Sequence, residues 1–394
     1  MKKFNFLLPL YIYEFFSSML FMTPIWVLFF QSRGLSLIQL GLLSSTVYLA
    51  STLFEYPTGI LADRYGRKTS MICANLLVVI AFLVEVKSYS FPSFLVASFL
   101  VGMAWAFQSG AREALIYDAL KEKGLQKHNS KILGILNFIG AAGQLISVFF
   151  GSILFIYDGS LPYWMTISTT IIGTIALSLV REPRNKTKES KLDDHTDFFA
   201  GLKLLWGQST LSSLFMLYIP VFFFEGAWHG LMEQPVLVGL GLPIVILGTY
   251  QAVKTGLSGF CGLLLPGLVK KQQHATLFFW VIFLESLVMV GLGADWLWVA
   301  IASSYLMLFA HSLWYYLDAD IIHEHIPSNI RATTLSARQM GISLIWIFNP
   351  GLMGYLVSTF DRAYLFPVFG VIILVTSISV FLLRKRYLYT PRHK

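Results

Sequence analysis

The chain has 394 residues, of which 56% are hydrophobic and 13% charged, with a formal net charge of +8. A soluble domain carries about twice that charged fraction, and apolar runs of about 20 residues recur from end to end, so the composition excludes a soluble globular protein and predicts a polytopic helical membrane protein. A membrane barrel would need strictly alternating strands of about 10 residues, and the nucleic-acid partner that a basic chain invites is set aside because the cations are sorted by loop rather than gathered in a patch.

Lys2 and Lys3 precede an apolar run too long for a signal peptide and without a small-residue cleavage site, so the run is read as a first membrane helix. Twelve apolar segments follow in order: 7–31, 36–61, 69–88, 92–120, 131–157, 162–180, 209–232, 242–268, 274–293, 296–320, 331–358 and 363–383. With the N-terminus inside, only Arg33, Lys87 and Arg362 of the 29 Lys and Arg fall in outer loops, and Arg112, Lys254 and Arg338 fall within segments. The rest lie on the inner side, which places both termini in the cytoplasm. The polar stretch around 181–205 reads as a cytoplasmic linker between an N-terminal six-helix bundle (1–180) and a C-terminal one (206–394), with a short interfacial helix expected over Phe198–Trp206. The halves share register at an offset of 200 residues, Asp118 against Asp318 and Gly151 against Gly351. Cys73 and Cys261 sit inside apolar segments as packing residues, not as a disulfide framework.

Between the second and third segments stand Gly59-Ile60-Leu61-Ala62-Asp63-Arg64-Tyr65-Gly66-Arg67-Lys68, a G-x-x-x-D-R-x-G-R-K pattern. Glycine serves where backbone takes a positive φ, and three cations beside one carboxylate form a cluster able to pair or unpair as helices move. By this motif the chain resembles the major facilitator superfamily of membrane transporters. The resemblance implies an all-α membrane protein with twelve transmembrane helices in two six-helix bundles, and a substrate site near mid-membrane between them. It also implies a gate: Gly59, Asp63, Arg64, Gly66, Arg67 and Lys68 closing the cytoplasmic side, Asp63 facing the N-terminus of the eleventh helix around Ser328–Thr334, and Arg67 paired with Asp118. Glu55 is assigned to the same gate. A purely topogenic basic loop is the alternative, but it needs neither Asp63 nor paired glycines.

Ionisable groups inside membrane segments cost at least about 2.5–3.5 kcal/mol at a helix centre and so ask for a reason. In the family the first, fourth, seventh and tenth helices line the cavity, which singles out Glu14, Arg112, Glu113, Glu225, His229 and His311. A carboxylate at Glu14 and a guanidinium at Arg112 can form a buried pair that protonation breaks. Glu225, Trp228, His229 and Met232 share one stripe of the seventh helix. Lys254, mid-span on the eighth, needs an anion, and Glu225 and Glu285 are those available. Glu285 must face inward, because lipid exposure would cost too much. A structural ion pair is the competing account of each, and Arg338 is read as snorkelling to the inner surface. Trp26, Trp105, Trp228 and Trp314 are the candidate aromatic walls, with core packing as their competing role. Gly134, Gly140, Gly143 and Gly151 give the fifth helix a small face for close approach.

Stretches around Glu55–Gly59 and Glu113–Asp118 are similar to efflux proteins of Gram-positive bacteria of the drug/proton antiporter type, including tetracycline-type exporters. The expectation is therefore a monomeric transporter of the bacterial cytoplasmic membrane that works by alternating access. It would export a small lipophilic or amphipathic compound against protons, with the proton gradient in place of any cofactor. No phosphate-binding G-x-x-x-x-G-K-[ST] occurs, and His323, Glu324 and His325 lack the spacing of a zinc protease, so neither a nucleotide-driven pump nor an enzyme or metal site is expected. Proton-coupled uptake of a nutrient or peptide, and a non-transporting receptor or immunity protein on the same fold, stay open.

Overall fold

The computed structural model describes residues 6–182, 209–268, 274–325 and 331–388. Among them the chain is helical with no strand, and the helices fall into twelve segments where the apolar runs predict them. The first segment is Leu8–Ser17 and Trp26–Ser32, the second Leu37–Tyr65, the third Arg67–Lys87, the fourth Phe91–Gln108 and Ala111–Glu122, the fifth Asn129–Tyr157 and the sixth Leu161–Ser178. The seventh is Ser209–Ala227 and Glu233–Gly239 joined by a π-helical turn at Trp228–Met232, the eighth Ile244–Leu268, the ninth His274–Gly293, the tenth Leu297–His325, the eleventh Arg331–Thr359 and the twelfth Arg362–Leu388. Among the described residues seven helices are long and apolar enough to cross a membrane by length and composition. The interfacial helix expected over Phe198–Trp206 lies outside the described residues.

Contacts divide the chain into two compact units, Met1–Glu189 with Pro243–Thr255, and Ser190–Leu242 with Gly256–Lys394. Pro243–Thr255 joins the first unit through Ser152, whose hydroxyl donates to Val245 O at 3.0 Å and accepts from the Gly248 N–H at 2.8 Å. Local sequence sets several helix starts. The second segment opens on a Ser36/Gln39 capping box, and the fourth and sixth carry Pro92 and Pro162 in their first turn, where the missing N–H costs nothing.

Two helices of the first unit are broken, and the breaks matter more than the helices. A break in a membrane helix frees carbonyls and amides that no water satisfies. In the fourth segment, Gly110 at φ +69° ends the run, and the freed carbonyls of Ala106 and Phe107 accept from Thr58 Oγ1 at 3.0 Å and Ser70 Oγ at 2.6 Å. In the first segment the interruption after Ser17 frees Phe21 N–H and Met19 O, which are met by Thr166 Oγ1 at 3.0 Å and Thr169 Oγ1 at 3.2 Å from the sixth segment. The fifth segment presses so closely on this bend that a Cβ on Gly143 would lie 2.3 Å from Phe15 O, and one on Gly151 2.0 Å from Phe21 O.

The outer-loop arginines also have a structural task. Arg33 donates to Val86 O and Ser88 O at 3.2 and 3.1 Å, at the C-terminus of the third segment, and to Ser160 Oγ at 3.0 Å. Arg362 donates to Leu292 O and Ala294 O at 2.8 and 3.0 Å, at the C-terminus of the ninth, and pairs with Asp295. Cations at helix C-termini satisfy orphan carbonyls and the negative end of the dipole.

Gly151→Ala is expected to destabilise the chain by about 1–3 kcal/mol through overpacking. Gly134→Ala, where a Cβ meets open space, should be neutral or slightly stabilising. Thermal unfolding of the purified protein in detergent, followed by tryptophan fluorescence, separates the two.

Candidate functional site

The breaks in the first and fourth segments leave Glu14 and Arg112 on the wall of a cavity of about 240 Å³. Arg112 Nε lies 3.1 Å from both oxygens of Glu14, and Nη2 lies 2.7 Å from Oε1. The same guanidinium reaches Asn137 Oδ1 at 2.9 Å and Glu113 Oε1 at 3.3 Å. Such forked, charge-assisted bonds are strong and directional. Glu14 is 8% exposed, so its charge depends on that partner. Tyr13, Ser17, Ser18, Gln108 and Gln144 complete a wall whose one apolar member is Leu20. Gln108 Nε2 donates to the Tyr13 hydroxyl at 3.2 Å.

The signature residues form helix ends rather than a loop. The second segment runs through Asp63 and Arg64 to Tyr65, the third starts at Arg67, and Gly66, at φ +106°, is the only joint. The apolar limits at 61 and 69 fall short because polarity marks where lipid ends, not where the helix does. The turn requirement therefore rests on Gly66; Gly59 is helical, and a Cβ there would meet open space. Arg67 does not take Asp118 as its partner. It closes on Asp63 at 2.5 Å, because the second helix runs on to Tyr65 and the turn at Gly66 brings the start of the third back beside that carboxylate. Asp118 is half-buried, and Arg64 lies over the Tyr65 ring at 5.4 Å. The expected approach of Asp63 to residues 328–330 lies outside the described residues.

Glu182, which sequence reasoning assigned to the linker, completes this turn. Its carboxylate accepts from the N–H of Arg67 at 2.8 Å and of Lys68 at 3.1 Å. These are two orphan donors at the positive end of the third helix. Lys68 Nζ in turn donates to Ser178 O at 3.0 Å and Val180 O at 2.8 Å, at the end of the sixth segment. A Cβ on Gly66 would sit 2.7 Å from the Glu182 carboxyl carbon, so glycine is required for space as well as for φ.

In the second unit Glu225, His229 and His311 come together. His311 Nδ1 is 2.9 Å from the Glu225 carboxylate, and His229 Nε2 is 3.6 Å from it. His229 Nδ1 lies 3.4 Å from Glu233, which accepts from Ser304 Oγ at 2.7 Å. Glu285, on the ninth segment, is fully buried. Arg338 does not snorkel; it pairs with Asp318 at 2.6 Å. Lys254, grouped with the first unit, is buried with Nζ 5.7 Å from the Tyr250 ring centroid. The buried tryptophans serve packing: Trp228 Nε1 donates to Ser304 Oγ at 3.0 Å, and Trp314 lies against Phe222 and Phe278.

Sequence reasoning missed Glu233, Glu182, Asn137, and Glu85, a buried carboxylate of the third segment. The i, i+4, i+8 spacing of Glu225, His229 and Glu233 is in the sequence, but the apolar run of the seventh segment stops at 232 while its helix continues from Glu233 to Gly239.

Arg112→Met should leave Glu14 buried without a partner and cost about 3–5 kcal/mol. The double variant Glu14→Gln with Arg112→Met should recover most of that loss. Thermal midpoints of the two variants in detergent test the difference.

Comparison with known proteins follows the same lines. The chain is 24% identical over 391 residues to the uncharacterized MFS-type transporter YxaM of Bacillus subtilis (strain 168), covering 93% of this chain and 90% of that one. It is 29% identical over 160 residues to the multidrug resistance protein MdtL of Klebsiella pneumoniae (strain 342), covering 39% of each. Among solved structures it superposes on the nucleoside transporter NupG with a TM-score of 0.75 at 12% identity, covering 97% of this chain and 99% of that one. The D-xylose-proton symporter gives 0.71 at 16% identity, covering 96% and 98%. These structures share the fold. The family model of the Major Facilitator Superfamily matches residues 7–335, so this all-helical, multi-pass chain with broken, polar-lined segments belongs to that superfamily and is a transporter rather than an enzyme.

Proposed function

We propose that the chain is a proton-coupled secondary transporter of a bacterial cytoplasmic membrane, with both termini in the cytoplasm, that exports a small amphipathic compound by alternating access. The observation that carries this reading is the Glu14–Arg112 pair on the wall of a polar cavity. Protonating Glu14 removes the anion that holds Arg112 in place and leaves the guanidinium to Asn137 and Glu113, so proton occupancy and cavity shape are linked. The partial likeness to a multidrug resistance protein supports export. The polar wall adds that the transported compound carries hydrogen-bonding groups and is not purely lipophilic.

The gate in this reading is the joint at Gly66. Asp63 and Arg67 are already paired, and Glu182 pins the third helix to the end of the sixth. Asp63, 60% exposed, is the carboxylate of this joint that can meet a partner half.

Proton-coupled uptake is the second reading. The polar wall favours it, as does the superposition on a structure named as a proton symporter.

Accumulation of a fluorescent amphipathic dye in everted and right-side-out vesicles decides the direction. Export predicts pH-driven accumulation in everted vesicles alone. Glu14→Gln should abolish the pH-driven component, and Asp63→Asn should slow it at least tenfold. A Glu14→Gln protein that accumulates dye like the wild type would refute coupling at this pair, and an unaltered phenotype for Asp63→Asn would favour a non-transporting receptor.

A further inference from the structure

The cavity of the first unit holds more polar groups than the Glu14–Arg112 pair uses. Ser17 and Ser18 come from the first segment, Gln108 from the fourth and Gln144 from the fifth. Gln108 gives an Nε2–H to the Tyr13 hydroxyl at 3.2 Å and keeps its carbonyl oxygen. Ser18 Oγ and the Gln144 amide have no hydrogen-bond partner among the described residues.

The fifth segment places these groups. Asn137, Gly140 and Gln144 stand at i, i+3 and i+7 and so share one face of that helix. Asn137 Oδ1 accepts from Arg112 at 2.9 Å. At Gly140 a Cβ would lie 2.8 Å from Ser18 Oγ and 3.5 Å from Glu14 Oε1, so the missing side chain leaves room for both. Gln144 follows one turn on and lines the cavity itself. A helix whose glycines serve close packing thus also presents an amide to the cavity.

The two charges on the wall are engaged with each other. Each nitrogen of the Arg112 guanidinium already faces an acceptor: Nε and Nη2 face Glu14, Nη2 also Asn137, and Nη1 Glu113. An anionic ligand would meet the two carboxylates beside that cation. An ammonium would have to displace Arg112 from contacts of 2.7 and 3.1 Å. When Glu14 is protonated, Arg112 keeps the Glu113 carboxylate at 3.3 Å. What the wall offers a ligand is therefore dipolar: the amides of Gln108 and Gln144 and the hydroxyls of Ser17 and Ser18. An amide both donates and accepts, as does a hydroxyl.

Polar groups of this kind are met by water, and a ligand that displaces the water without reproducing its bonds loses affinity. A wall of hydrogen-bonding groups consequently rejects a compound that lacks their partners. The cavity, at about 240 Å³, is smaller than the roughly 300–1,000 Å³ of a site that encloses a drug-sized molecule. It takes one end of a compound.

We infer that the transported compound presents to this cavity an uncharged polar end, of the hydroxyl- or amide-bearing class. Gln144 and Ser18 are the residues that select it, while Glu14 and Arg112 remain paired with each other. This inference rests on the reading of the cavity as the place where the transported compound binds, and it adds the chemical class of that compound and the side chains that recognise it.

Binding to the purified full-length protein, in a detergent without a sugar headgroup, is the test. Isothermal titration compares four probes that share a phenyl ring: phenyl β-D-glucoside and N-acetyl-phenylalaninamide, both uncharged, phenethylamine as the cation and phenylacetate as the anion. At least one uncharged probe should bind, and both charged probes should bind at least about tenfold more weakly. Gln144→Leu and Ser18→Ala should each weaken the uncharged probe by about tenfold, because a wall group then no longer answers it. Gln144→Glu should reverse the preference and raise phenethylamine affinity by about tenfold, a gain that loss of packing would not produce. Monodisperse elution establishes that each variant is folded, and Ser18→Ala carries the test should the Gln144 variants fail to fold. A charged probe that binds as tightly as the uncharged ones, no uncharged binding up to the solubility limit, or Gln144→Leu and Ser18→Ala proteins that bind like the wild type would overturn the inference. Any of these results alongside pH-driven dye accumulation that depends on Glu14 would leave the proton-coupled export reading standing. Selective binding that depends on Gln144, in a chain whose vesicles show no pH-driven accumulation, would support the recognition site and end the coupling reading.

Discussion

A backbone group freed inside a bilayer has no water to turn to, and this constraint organises the first unit. The candidate site there sits at breaks in two helices, and each break is possible because a neighbouring segment supplies the missing partner. Thr58 and Ser70 take the carbonyls before Gly110, and Thr166 and Thr169 take the groups around Met19 and Phe21. Bends give Glu14 and Arg112 a cavity to face, and hydroxyls make the bends affordable. These four residues are not among those lining the cavity, yet the cavity depends on them as much as on its own wall.

The two units manage buried charge differently. The first uses a guanidinium, which cannot give up its proton, to hold a carboxylate in a three-bond clamp. The second keeps one guanidinium pair, Arg338 with Asp318, and adds imidazoles, which can give up a proton, beside Glu225 and Glu233. A clamp of the first kind resists titration at its cationic end and responds only through Glu14.

The joint between the second and third segments shows how a short motif gets its force from residues far along the chain. Gly66 supplies the backbone angle, but the third helix starts there because Glu182 accepts its first two amides, and Lys68 returns the contact to the end of the sixth segment. The motif is thereby tied to the residue at which the polar connection between the halves begins. Asp63 and Arg67 satisfy each other within the motif.

The sequence alone determined the class, the twelve segments, the family and the titratable residues inside them, because each follows from properties carried by the residues themselves: apolar length, the sorting of cations, and a ten-residue pattern. Tertiary structure decided which of those residues meet. Arg67 turned to Asp63 rather than Asp118 because the second helix runs past the apolar limit and the joint at Gly66 folds the third back against its end. Arg338 found Asp318 instead of the membrane surface, and Glu182 and Glu233, both beyond the apolar boundaries, became central to their clusters. The reason is physical: hydropathy reports where lipid is, but a charged group's partner depends on where helices end and break, and those points are fixed by hydrogen bonds from segments distant in the chain.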